Sequence, residues 1–359
     1  MTPRIRPGLD TIPAYVPGRS FPGAVKLASN ETTAGPLPSV RAAILDAVDN
    51  ANRYPDNSAA DLIAALSKRL SVPADRIAVG CGSVNLCQEL VQITCDDGDE
   101  VVFSWRSFEA YPVISAVAGA KAVAVPNGPD HGHDLDAMLA AITDRTRLIF
   151  VCNPNNPTGT LIGKPDLEKF LDAVPDDVVV ALDEAYFEYV RPAPGEDLPD
   201  GLELTAGRRN VVVLRTFSKA YGLAGIRVGY AVADPAIVIA LGKVHTPFSV
   251  SAPAQRAAIA SLEAAAELLD RTDGVVAERE RVRAALVAAG YDVPASYANF
   301  VWLPLGAAAA AYTDAAAEAG VVLRGFAGDG VRVSIGDVHE NDLFLSFATG
   351  AGRACAGLD

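Results

Sequence analysis

Between residues 77 and 232 short apolar runs alternate with stretches of helical period, and few folds accommodate that pattern. The runs fall at residues 77–80, 101–104, 122–125, 148–152, 178–182, 211–214 and 228–232. Segments of helical spacing at 84–93, 109–117, 135–141 and 165–173 separate most of them. A strand that is apolar at nearly every position has to be covered on both faces. The pattern therefore implies an α/β fold in which a mainly parallel sheet is sandwiched by helices. Ligands of such sheets bind outside the carboxyl ends of the strands, so chemistry is expected in the residues that follow each run.

The flanking segments read differently. Residues 1–36 are broken by Pro3, Pro7, Pro13, Pro17 and Pro22 and show no helical period, which predicts an extended arm packed against a smaller domain and the active site. Helical spacing returns at 38–51 and 58–70, and the unit is expected to run over 37–250 as the large domain. From 251 to 359 the pattern is Ala-rich helix at 252–269 and 276–289, then shorter strands at 300–303, 321–323 and 331–334. That predicts a smaller α+β domain, with the alanine tract 307–311 as part of a helix.

Composition excludes several classes. The net charge of -14 opposes nucleic acid and anionic membrane surfaces as partners. Five cysteines form no CxxC pair, and the four histidines lack ligand spacing, so no metal site is expected. No apolar run reaches membrane-spanning length and no signal-peptide pattern opens the chain, which predicts a cytoplasmic protein.

The strand ends carry a consistent set of groups. Lys219 lies after the run 211–214, flanked by Thr216, Ser218 and Arg227. A lysine amine condenses with aldehydes, and hydroxyl and guanidinium donors beside it suit a phosphate. Gly82, Ser83 and Val84 follow the run 77–80 and open a helix, whose free N–H groups make an anion site. Asn85 stands where a dinucleotide fingerprint requires glycine, and no Walker A sequence is present, so a monophosphate is the better guest. Asn156 lies in a Pro- and Gly-rich turn after 148–152, and Asp183 and Tyr186 follow 178–182. A carboxylate at the end of a buried strand needs a cation or a cap.

Pyridoxal phosphate uses all of these groups together. Lys219 would take its aldehyde, Asp183 its ring nitrogen, and Asn156 with Tyr186 its phenolic oxygen. Ser83, Ser218 and Arg227 would hold its phosphate, and Phe108 would cover a ring face. The motifs Asn155-Asn156-Pro157-Thr158-Gly159, Asp183-Glu184-Ala185-Tyr186 and Ser218-Lys219, with Arg227 eight residues on, resemble the fold-type-I aminotransferases that include histidinol-phosphate aminotransferase. The resemblance extends over nearly the whole chain. It implies a homodimer with composite sites, in which Tyr54 of Arg53-Tyr54-Pro55 reaches the partner's cofactor phosphate. It further implies that Val84 contributes through its backbone N–H, that Arg332 grips the substrate carboxylate, and that Arg324, Tyr15 and Asn30 lie near the substrate. Asp329 is a structural alternative as partner for Arg324.

Residues 26–33 and 35–40 are most similar to an actinobacterial group of aromatic or phenylalanine aminotransferases. The implied reaction moves an amino group between phenylalanine, tyrosine or tryptophan and a 2-oxo acid, with 2-oxoglutarate the expected acceptor. The alternatives are a histidinol-phosphate aminotransferase and a pyridoxal-phosphate lyase or decarboxylase on the same scaffold.

Overall fold

Five of the seven strands of the larger sheet run into residues that the sequence marks for chemistry, and the topology brings those five ends to one edge. The computed structural model describes Ile12 and residues 23–195 and 197–358. Its strands are β1 (Val25–Leu27), β2 (Ile77–Gly80), β3 (Glu100–Trp105), β4 (Lys121–Pro126), β5 (Thr146–Cys152) and β6 (Val179–Asp183), followed by β7 (Val211–Thr216), β8 (Gly229–Val232), β9 (Phe300–Leu303), β10 (Val321–Phe326) and β11 (Gly330–Ser334). Seven of them form the large sheet in the order β2-β8-β7-β6-β5-β3-β4. Pairing is parallel from β7 through β6, β5 and β3 to β4, while β8 runs antiparallel to both β7 and β2. The mainly parallel, helix-covered sheet is the fold type of the sequence expectation.

The period-two geometry of strands explains the continuous apolar runs. Val102, Ile149, Val151, Val180, Leu182, Val211 and Val213 enter the core on one face. Their alternates Val101, Phe103, Leu148, Phe150, Ala181, Val212 and Leu214 enter a second core on the other. Burying each large side chain contributes about 1.5–3 kcal/mol, so the sheet is held from both sides.

A four-stranded sheet, ordered β1-β10-β11-β9, forms the smaller layer. Its first strand belongs to the N-terminal arm: Val25, Lys26 and Leu27 pair in parallel with Val321, Val322 and Leu323. That strand was not legible in the sequence, because three residues between Pro- and Gly-rich stretches show no pattern of their own. Tyr15 lies outside the described residues.

The helical boundary after residue 251 also differs from expectation. The helices are Ala252–Glu263 and Ala265–Ala288, so the break falls at Ala264 rather than over residues 270–275. Ser251 starts the first of them, its Oγ accepting from Ala254 N. Residues 270–274 make a turn of that helix instead of a loop, with Arg191 donating to Thr272 Oγ1 and pairing with Asp273. The first helix buries Ala254, Ala257, Ala258 and Leu262 in the larger core. The second contributes Leu268 there and Val282 and Leu286 to the core of the small sheet. Among the described residues no helix is long and apolar enough to cross a membrane.

Phe150 tests the two-sided core. It is fully buried in central strand β5 and stacks on Tyr111 with ring centroids 4.3 Å apart. Phe150→Ala should lose about 3–5 kcal/mol of stability, whereas Leu343→Ala, on an outer helix face, should change it by less than about 0.5 kcal/mol. Denaturation midpoints of the two variants check this; equal losses would contradict the packing.

Candidate active site

Register places the strand-end groups side by side. Cys152 of β5 lies opposite Asp183 of β6, Asp183 opposite Leu214 of β7, and Gly229 of β8 opposite both Thr216 and Gly80. The loops leaving β2, β3, β5, β6 and β7 therefore open onto one edge of the sheet.

Asp183 sits at the centre of that edge. Its Oδ2 accepts from Tyr111 Oη at 2.7 Å, and its Oδ1 is buried and has no hydrogen-bond partner among the described residues. Burial pushes the carboxyl up from 3.8 to about 6, against the opposing pull of the Tyr111 hydroxyl. Tyr111 was not singled out from the sequence. The available signal was its spacing from Phe108: three residues apart at a helix start puts both rings on one side, and they meet edge to face at 5.5 Å.

Adjacent Glu184 points the other way, as strand alternation requires. It binds Arg215 Nε at 2.8 Å and Gly201 N at 2.7 Å, and Arg215 also bonds Asp200. Burial lifts the Glu184 carboxyl to about 7, with the Arg215 charge opposing it. This pair anchors the strand behind the site.

Lys219 follows β7 in a turn, with Nζ donating to Ser29 O at 3.1 Å and lying 5.8 Å from the Tyr186 ring centre. Burial, then the Arg332 charge, lowers its amine to about 7. Tyr186 Oη accepts from Asn30 Nδ2 at 2.9 Å, and Asn30 is tied to β11 by Ser334 Oγ, which donates to Asn30 Oδ1. Asn30 has φ 54°, a left-handed geometry that asparagine tolerates. Ser334 is a second residue that sequence reasoning missed, because the contact joins positions 304 residues apart.

Arg332 reaches across from the small sheet. It donates to Asn156 Oδ1 and to Ala28 O, and its guanidinium lies 5.5 Å from the Phe300 ring and 5.8 Å from Phe326. Arg324 is its cross-strand neighbour in register. Arg324 pairs with Glu109 at 2.7 Å, whereas Asp329, the structural alternative considered from the sequence, pairs with Arg106.

Gly82, Ser83, Val84, Thr216, Ser218 and Arg227 meet at the opposite end of the site. Gly82 has φ 78° and precedes the helix Ser83–Thr94, and a Cβ at position 82 would strike the Arg227 guanidinium. Arg227 Nη1 lies 3.4 Å from Ser218 Oγ, and Ser218 N donates to Thr216 Oγ1 at 3.1 Å. Asn85 Oδ1 accepts from Cys81 N, which shows why a polar residue rather than glycine fits there. A helix N-terminus, hydroxyls and a guanidinium so arranged make an anion cradle.

Tyr54 stands apart. It is 83% exposed and stacks on Phe248 with ring centroids 4.6 Å apart, away from the Lys219 cluster. Among the described residues no group of three or more His, Cys, Asp or Glu is placed to hold a metal ion.

Comparison with known proteins accords with this geometry. Residues 22–348 match the family model of aminotransferase class I and II. The aromatic amino acid aminotransferase of Rhodococcus jostii (strain RHA1) is 72% identical over 349 residues, covering 97% of this chain and 96% of the relative. That of Rhodococcus erythropolis (strain PR4) is 68% identical over 359 residues, covering 100% and 99%. Among solved structures, the histidinol-phosphate aminotransferase of Sinorhizobium meliloti in complex with pyridoxal-5'-phosphate superposes with a TM-score of 0.89 at 30% identity, covering 99% of both chains. A family match over almost the full length, two close relatives and a shared fold lead to one conclusion: the chain belongs to the class I and II aminotransferases.

Proposed function

We propose that this chain is a pyridoxal-phosphate-dependent aromatic amino acid aminotransferase, exchanging the amino group of phenylalanine, tyrosine or tryptophan with a 2-oxo acid, 2-oxoglutarate in the first instance. The observation that carries the chemistry is the meeting of Asp183 and Lys219 on one sheet edge, the carboxylate keeping one buried oxygen without a hydrogen bond. The aromatic donor follows from the two relatives of that name, which share over two thirds of their residues with this chain. The histidinol-phosphate reading draws on more distant structural neighbours, such as the one 30% identical to this chain.

The residues present fit the cofactor. Asp183 Oδ1 offers an acceptor to a protonated ring nitrogen, and the Ser83–Val84 helix start with Thr216, Ser218 and Arg227 offers donors to a phosphate. Asn156 and Tyr186 would hold the ring oxygen and Phe108 a ring face. When bound, pyridoxal phosphate supplies the aldehyde that receives the amino group and a ring that accepts the electron pair released at the substrate Cα.

The chain's own part in the reaction is proton transfer and placement. An amine near pKa 7 is neutral often enough at physiological pH to accept a proton, so Lys219 Nζ takes the substrate α-proton and later returns it. Arg332 offers two parallel donors to the substrate carboxylate. Asn30, Tyr186 and Ser334 hold the arm against the site and limit water near Lys219. The enzyme is further proposed to act as a homodimer in which Tyr54 serves the partner's phosphate site, which accounts for its exposure on the single chain. Five cysteines without a disulfide suit the reducing cytoplasm.

Phenylalanine with 2-oxoglutarate should be turned over with a kcat/KM about tenfold or more above that of histidinol phosphate, a difference of about 1.4 kcal/mol in transition-state stabilisation. The opposite order would displace the aromatic assignment. Lys219→Ala should lower kcat by about 100-fold to 10,000-fold and abolish the visible absorbance of the bound cofactor. Near-native turnover in that variant would refute the role of Lys219.

Asp183→Asn has a pH signature in the cofactor-free protein. A buried carboxyl raised from 3.8 to about 6 penalises folding once ionised, fully above pH 6 and not at all below about pH 4. The variant should therefore be more stable than wild type at pH 8, on the order of 3 kcal/mol, with the advantage shrinking through pH 5. Denaturant titrations at the two pH values measure it, and a pH-independent difference would exclude this charge effect. For the dimer, mixing Lys219→Ala chains with Tyr54→Phe chains should restore about one competent site per heterodimer. Confirmed mixing without recovery would mean that each site is built within one chain.

A further inference from the structure

We propose that Glu109 sets the donor class of this site, turning it away from phosphorylated amines and toward α-carboxylates; the inference rests on the aminotransferase reading above. Pairing of β10 with β11 sets Arg324 directly opposite Arg332. Residues 324 and 326 share one face of β10, and the guanidiniums of Arg324 and Arg332 lie 5.7 Å and 5.8 Å from the Phe326 ring. Two cations thus flank one aromatic ring, Arg332 on the side that contacts Asn156 and Arg324 on the side that contacts Glu109. The Arg106 guanidinium lies 5.5 Å from the same ring and pairs with Asp329. Each of the two outer guanidiniums is therefore already matched by a carboxylate of the chain.

The two donor classes present different anions to this row. An aromatic amino acid carries a planar carboxylate of single charge attached directly to Cα. A phosphorylated amino alcohol such as histidinol phosphate carries its anion two bonds further from Cα, and at neutral pH that group bears a charge of about −1.5 to −2. Seated from Arg332, the longer and more highly charged group extends toward Arg324. There it meets a guanidinium whose Nη2 is engaged at 2.7 Å and, beside it, the Glu109 carboxylate. Repulsion from that carboxylate acts on the dianion and leaves the shorter carboxylate, held at Arg332, largely outside its reach. Specificity here is a difference between two affinities, built by placing a like charge against the wrong ligand. Glu109 follows Phe108 directly, so the residue that discriminates is carried on the same turn as the ring proposed to cover the cofactor.

The test compares kcat/KM for histidinol phosphate and phenylalanine, each with 2-oxoglutarate, in the holoenzymes of wild type, Glu109→Gln, Arg324→Gln and the double variant. Glu109→Gln should raise the histidinol phosphate to phenylalanine ratio by about tenfold or more, and Glu109→Ala should move it in the same direction. In the Arg324→Gln background the same change should move the ratio by less than about threefold, because the gain depends on the freed guanidinium. Calorimetry gives a reading independent of turnover. 2-Phenylethyl phosphate, which lacks an amine, should bind Glu109→Gln more tightly than wild type, while 3-phenylpropionate should not distinguish them. An unmoved ratio in Glu109→Gln with phenylalanine still turned over would overturn the inference and leave the aminotransferase reading standing. An equal gain with Arg324 removed would also overturn it. Turnover of neither donor by wild type would remove the aminotransferase reading, and this inference with it.

Discussion

A carboxylate buried at the end of a central strand is the constraint around which this site is assembled. Left alone, Asp183 would be driven to its neutral form, and burial has already carried it to about 6. Lys219 faces the opposite pressure from the same enclosure and falls to about 7. The two groups begin more than six units apart in ordinary peptides and are brought to within about one unit here. An amine lowered to about 7 takes up and releases a proton near neutral pH at little energetic cost, as the role proposed for Lys219 requires.

Adjacent residues on one strand divide the remaining electrostatic work. Asp183, the last residue of β6, and Glu184, which follows it, bind different partners, and both are buried. Asp183 keeps one oxygen available, while Glu184 spends both on Arg215 and Gly201 N. Arg215 in turn lies 3.8 Å over the Phe187 ring and bonds Asp200. The fully satisfied network fixes the strand end, and only then is the carboxylate beside it held in one position with an acceptor to spare. A charge that is paired on one face gives rigidity; a charge left partly unpaired on the other gives reactivity.

What was legible in the sequence follows from this division between local and distant effects. The apolar runs marked seven strands because each strand's burial is set by its own residues, and the strand-end groups were legible for the same reason. Contacts between remote segments left no such trace. Tyr111 bonds Asp183 across 72 positions, Arg324 meets Glu109 across 215, and Asn30 meets Ser334 across 304. Glu109 was visible in the sequence only as the residue after Phe108 at a helix start. The helix break was misplaced because polarity at 270–273 followed by Gly274 signals a loop and a polar helical turn equally well, and the contacts to Arg191 separate the two.

The arm ties these remote segments into one device. Arg332 donates to Ala28 O and Lys219 to Ser29 O, so the cation proposed to face the substrate carboxylate and the amine proposed to take its α-proton are held by consecutive carbonyls of one segment. Residues 25–27 just before them are hydrogen-bonded to β10, which also carries Arg324, and Asn30 just after them is bonded to Tyr186 and Ser334. The small sheet, the arm and the carboxyl edge of the large sheet therefore meet through a run of six residues. An anion that takes donors of Arg332 competes with Ala28 O, the neighbour of the carbonyl that holds Lys219.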